Sequence, residues 1–173
     1  MIDRRTLLIG APFVLSACAT TSSVRDGTQV AAAQGVLALR LSGNRTGILG
    51  FNPYGESSFG ARFAENLVGA KGTLQFIDGD RYLVLPVDAG EYMWTKLTVA
   101  NQYAWLESST RFRVRAASIT YIGHIRIFIA DRKFNIGVVD READMREHLS
   151  ANFPQYSQSM PFQKTLAEVR VRG

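Results

Sequence analysis

A chain of 173 residues suits one domain with a sizeable core and asks for no second one. The formal charge of +5 is mild, comes mostly from arginine and is spread along the chain, which fits an anionic surface as a partner or simply a solvated exterior. A single cysteine, Cys18, excludes an intrachain disulfide.

Arg4 and Arg5 give the first residues paired positive charge. Residues 6–15 are mostly apolar (Leu7, Leu8, Ile9, Phe13, Val14, Leu15), and the small Ser16 and Ala17 precede Cys18. Charged, apolar, small is the order of a secretory signal, and about ten apolar residues fall short of the roughly 20 needed to cross a bilayer. Residues 1–17 are therefore expected to be removed. Leu15-Ser16-Ala17-Cys18 resembles the lipobox of bacterial lipoproteins. That resemblance implies cleavage between Ala17 and Cys18 and a diacylglycerol on the Cys18 thiol; the competing reading is an ordinary signal followed by a chance cysteine. Two or three acyl chains would hold the protein almost permanently, since each buried CH₂ contributes about 0.8 kcal/mol. Arg4-Arg5-Thr6-Leu7-Leu8 is similar to a twin-arginine export signal, although paired arginines also occur in general export signals. Ala19, where an aspartate would retain a lipoprotein in the inner membrane, implies the outer membrane facing the periplasm. Removing 17 of 173 residues leaves 156, with a charge near +4 and no free thiol for catalysis or metal binding. Export also argues against a nucleic-acid partner.

Residues 18–34 are small and polar after the cysteine and read as a flexible tether, so that 35–173 forms the domain. Leu37, Leu39 and Leu41 alternate with other residues and predict a strand over 36–42. Glycines dominate 42–60. Residues 73–77 and 81–87 are β-rich and flank Asp78-Gly79-Asp80, a hairpin signal, with Pro86 expected at an edge. A further strand is expected over 91–99. In 111–115, Phe112 and Val114 alternate with three arginines. The longest β signal is 119–130, with Tyr121, Ile125, Ile127 and Ile129 on one face and Ile122, His124, Arg126 and Phe128 on the other. A turn at 131–133 leads into 134–139, and Asp140 is a suitable N-cap for a helix over 141–151 with Met145 and Leu149 on one face. A last strand is expected over 165–172. About eight short strands and one late helix predict a mainly β protein, an antiparallel β-sandwich or partly open barrel with one C-terminal-half α-helix.

Leu83-Val84-Leu85-Pro86-Val87-Asp88-Ala89-Gly90-Glu91-Tyr92, with Phe112-Arg113-Val114 and Tyr121-Ile122-Gly123, loosely resembles uncharacterised envelope lipoproteins with a prealbumin-like or carboxypeptidase-regulatory-like β-sandwich. The resemblance implies that fold and no activity.

No motif for catalysis stands out. Asp144 and His148 are four apart on the expected helix, the spacing of a surface pair, and His124 sits in an alternating strand; no metal and no cofactor is expected. Asp78-Gly79-Asp80 lacks the further ligands of a calcium loop. Residues 55–60 fall short of a nucleophile elbow, and no lysine follows a serine by three. Glu56, Glu65, Glu91 and Glu107 are the carboxylates from which a glycan-cleaving pair would be drawn. The best candidate surface is aromatic: Met93, Leu97 and Val99 as the apolar face of 91–99 leave Tyr92, Trp94 and Lys96 on the other, and Tyr103 and Trp105 repeat the spacing, although rings so placed more often cover a second core layer or lie beneath a loop or helix. The expectation is a lipid-anchored, non-enzymatic envelope lipoprotein that touches the membrane through Cys18 and binds a protein or glycan. The alternative is an envelope hydrolase acting on glycan or peptide crosslinks.

Overall fold

Leu37, Leu39 and Leu41 face one side of β1 (Gln34–Gly43) and Val36 and Ala38 the other, all fully buried, so the first strand already separates two cores. The computed structural model describes residues 23, 25–54, 72–107, 109–131 and 133–172. The strands that follow β1 are β2 (Gly47–Pro53), β3 (Gly72–Phe76), β4 (Gly79–Asp88), β5 (Gly90–Val99), β6 (Gln102–Trp105), β7 (Arg111–Val114), β8 (Ile119–Ala130) and β9 (Lys133–Val139). Helices α1 (Glu142–Asn152) and α2 (Pro154–Ser159) and the short β10 (Phe162–Lys164) complete the chain.

These elements form a mainly β sandwich of two sheets, not closed into a barrel. The first sheet has the order β10-β8-β1-β4, with β9 beside the second half of β8. The second has the order β3-β2-β5-β6, with β7 beside the first half of β5. Leucines and isoleucines of β1, β4 and β8 meet Leu49, Phe51, Leu74, Phe76, Trp94 and Leu97 between the sheets. On the other side of the first sheet, Val36, Ala38, Val84, Ile119 and Tyr121 are covered by Met145 and Leu149 of α1, then Phe153, then Tyr156 of α2. The first sheet is thus buried on both sides, and its central pairing, β1 with β8, is parallel, as is common for strands covered on both faces.

Several expectations change. Asp78-Gly79-Asp80 does not close a hairpin: Gly79, at φ +101°, already opens β4, and β3 and β4 lie in different sheets, so these residues carry the chain from one sheet to the other. Pro86 sits in β4, the edge strand, where its missing N–H costs no ladder bond to a further neighbour. The β5–β6 hairpin was not signalled, because its positive-φ residue is Ala100 (φ 51°) and not a glycine. Residues 165–172 alternate in burial as expected, with Ala167 and Val169 inside, yet they form no continuous strand. They cross from one sheet to the other, bonding Tyr121 and Ile122 first and Glu107 and Trp105 later.

The expected tether is held from Ser23 onward. The Ser23 hydroxyl accepts from the Val84 N–H at 3.3 Å, and Val30 packs against the helix-side core. Phe153 precedes α2 and carries no acceptor, so the Asp26 carboxylate takes the N–H groups of Gln155 and Tyr156 at 3.2 and 3.4 Å. The Tyr156 hydroxyl in turn donates to the Thr28 carbonyl at 2.6 Å. Asp140 stands one residue before the N-cap position, which Arg141 occupies, and its carboxylate still accepts the Glu142 N–H at 3.1 Å, at the entrance to α1.

Two bulges decide which side chains face out. Leu49 pairs with Leu97 and Phe51 with Trp94, so Gly50 alone faces Thr95 and Lys96. Ala38 pairs with Tyr121 and Arg40 with His124, so Leu39 faces Ile122 and Gly123. One extra residue on a strand reverses the alternation beyond it. Gly123 adopts φ +109°, and a Cβ there would lie 2.4 Å from a Val138 methyl, so the second bulge depends on glycine.

Candidate functional site

The first bulge splits the expected aromatic surface. Tyr92 and Trp94 point inward, 6% and 1% exposed, and join Phe51 and Phe112 in an aromatic cluster with Trp94–Phe112 centroids 4.5 Å apart. The Tyr92 hydroxyl donates to the Asp88 carbonyl at 2.6 Å, and burial pushes its pKa up. These two residues are part of the core and do not form a surface.

Lys96, Tyr103 and Trp105 remain outside, brought together by the register that sets Lys96 opposite Trp105 and Thr98 opposite Tyr103. The two rings meet edge to face at 5.8 Å, and the Lys96 ammonium lies 4.4 Å from the Tyr103 centroid and 5.3 Å from that of Trp105. Cation–π contacts of this kind contribute about 0.5–1 kcal/mol each at an exposed site, which favours this grouping of the three side chains. Tyr103 is 56% exposed, and the exposed Ile48 pairs with Thr98 from the other side, so the rings sit on a shallow, semi-apolar face of the second sheet.

The second bulge builds a different site on the first sheet. Tyr121 and His124 face the same way, contrary to the expected alternation, and where α1 stops covering the sheet its outer face turns polar. Arg40 and Ser42 of β1, Asp80 of β4, His124 and Arg126 of β8, Val139 of β9 and the following Arg141 line a pocket of about 300 Å³. The Ser42 hydroxyl and His124 Nε2 are 2.8 Å apart, and Asp80 Oδ1 lies 3.7 Å from the same nitrogen. Arg40 bonds Asp80 and reaches Asp144 at 3.2 Å; its guanidinium holds the Asp80 carboxyl below the usual range. Burial, then the nearby Arg40, lowers the His124 pKa and leaves the imidazole neutral at pH 7.

A serine beside a neutral imidazole is half of a nucleophilic arrangement. The other half is an acid on Nδ1 that orients the ring, and here Asp80 approaches the nitrogen already facing Ser42. Asp144 and His148 have separate partners: Asp144 holds Arg40, and His148 stacks on Tyr82 with centroids 4.1 Å apart. Of the candidate glutamates, Glu91 pairs with Arg113. Glu56, Glu65, residues 55–60, Ala17 and Cys18 lie outside the described residues. The Ser42–His124 pocket was hidden from sequence reasoning because its members come from four elements, and its one visible sign was Gly123 beside a strand histidine.

Compared with family models, with curated proteins and with solved structures, the chain finds no match in any of the three.

Proposed function

We propose that this chain is a lipid-anchored lipoprotein of the bacterial envelope, attached through Cys18 at the outer membrane, whose β-sandwich binds another envelope component, protein or glycan, without catalysing a reaction. The observation that carries the binding reading is the Lys96–Tyr103–Trp105 cluster, with Tyr103 exposed and the other two half-buried: two rings bridged by one cation on an open sheet face are suited to stacking on a sugar or seating against a partner. The order of charge, apolar run, small residues and Cys18 supports the anchor, and the β-sandwich agrees with the resemblance to envelope lipoproteins. The Ser42–His124 pair is the observation that favours hydrolysis instead, and the position of Asp80 weighs against it.

Attachment at Cys18 also sets the geometry. Five peptide units separate Cys18 from Ser23, the first described residue, which is held on the domain, a reach of at most about 17 Å at roughly 3.4 Å per residue. The domain then stays close to the bilayer instead of ranging freely. Growth with labelled palmitate tests the anchor: wild type is expected to take up label and Cys18→Ala to lose it, and equal labelling of the two would refute the attachment.

A further inference from the structure

The pocket on the first sheet gathers more positive than negative charge. Asp80 and Asp144 both bind Arg40, whereas Arg126 and Arg141 have no acid partner among the described residues. The Arg40 Nε is buried and has no acceptor, and the rest of its guanidinium is held by Asp80 and Asp144. Ser42 adds a hydroxyl, and the bulge at Gly123 turns His124 into the same space. Phe128, two residues beyond Arg126 on the same face and 57% exposed, and Val139, 38% exposed, give this polar region an apolar flank.

We propose that this pocket binds a phosphate group, either free or as the headgroup of an anionic lipid. Guanidinium forks match the spacing of paired oxyanion oxygens, and arginines from two different elements engage more than one edge of a tetrahedral anion. A phosphate presents acceptor oxygens on several sides, so Arg126 and Arg141 can engage it from different directions. The volume of about 300 Å³ lies at the small end of ligand pockets and leaves room for a glycerol-sized substituent. This site lies on the sheet opposite the aromatic face and does not depend on the reading of Cys18.

The test is calorimetric titration of the full chain in maltoside detergent with two probes, inorganic phosphate and dihexanoylphosphatidylglycerol. Saturable binding is expected, weakened about tenfold by either Arg126→Gln or Arg141→Gln, both at exposed positions, and unchanged by Arg170→Gln beside β6. Phosphate binding as tightly as the lipid identifies the free anion; tighter binding of the lipid identifies a headgroup. Failure of both probes to saturate, or unaltered affinity in both pocket variants, overturns the proposal.

Discussion

His124 shows how one backbone detail sets the chemistry of a side chain. The extra residue at Ile122-Gly123 turns the imidazole out of the core and into a wall of Arg40, Ser42, Asp80, Arg126 and Arg141, where it is still largely buried. Burial and three nearby guanidiniums lower its pKa below 6.5 against the smaller opposing pull of Asp80, and burial lowers that of His148 as well. The unfolded chain therefore binds more protons than the folded one between the folded pKa values and 6.5, and stability falls as the pH drops below that point. Asp80, whose pKa is depressed from 3.8, adds its own loss only in stronger acid. Urea denaturation is expected to show a lower midpoint at about pH 5 than at about pH 7, with a smaller difference in His124→Gln. A slope that His124→Gln leaves unchanged would show that His124 does not contribute.

At the scale of elements, strict alternation located β7 with the correct faces, Phe112 and Val114 buried between exposed arginines, while β9 was legible as a run after a turn, without its faces, and packs Phe134, Ile136 and Val138 inward. The same rule misplaced residues in β5 and β8 because each carries a bulge, and period-2 reasoning has no term for an inserted residue. Gly123 marked one bulge in the sequence, but Thr95-Lys96 carried no mark. Three of the five candidate binding residues were legible as a surface, and the other two, Tyr92 and Trp94, were displaced by that single insertion. The distinction has a measurable consequence. Trp94→Ala removes a core ring and is expected to cost about 3–5 kcal/mol in urea denaturation, whereas Trp105→Ala is expected to stay within about 1 kcal/mol of wild type. Similar losses in the two variants would contradict the assignment of inner and outer faces.

Across the whole molecule, the succession of short strands and a late helix conveyed the class of fold, and composition missed the docking of the segment before β1. Residues such as Asp26 and Thr28 are small and polar, and nothing local distinguishes a free tether from one whose carboxylate caps a helix 129 positions away. Held in this way, the segment is part of the domain, which carries an aromatic face on one sheet and an arginine-lined pocket on the other. The most direct test of the binding role is photo-crosslinking in intact cells from benzoylphenylalanine in place of Tyr103, a change that keeps an aromatic ring in the cluster. A discrete adduct with one envelope component is expected, absent when the same group replaces Glu147 on the exposed side of α1 and lost when Trp105→Ala is added. No adduct from position 103 beyond that from position 147 would contradict a partner-binding role for this face.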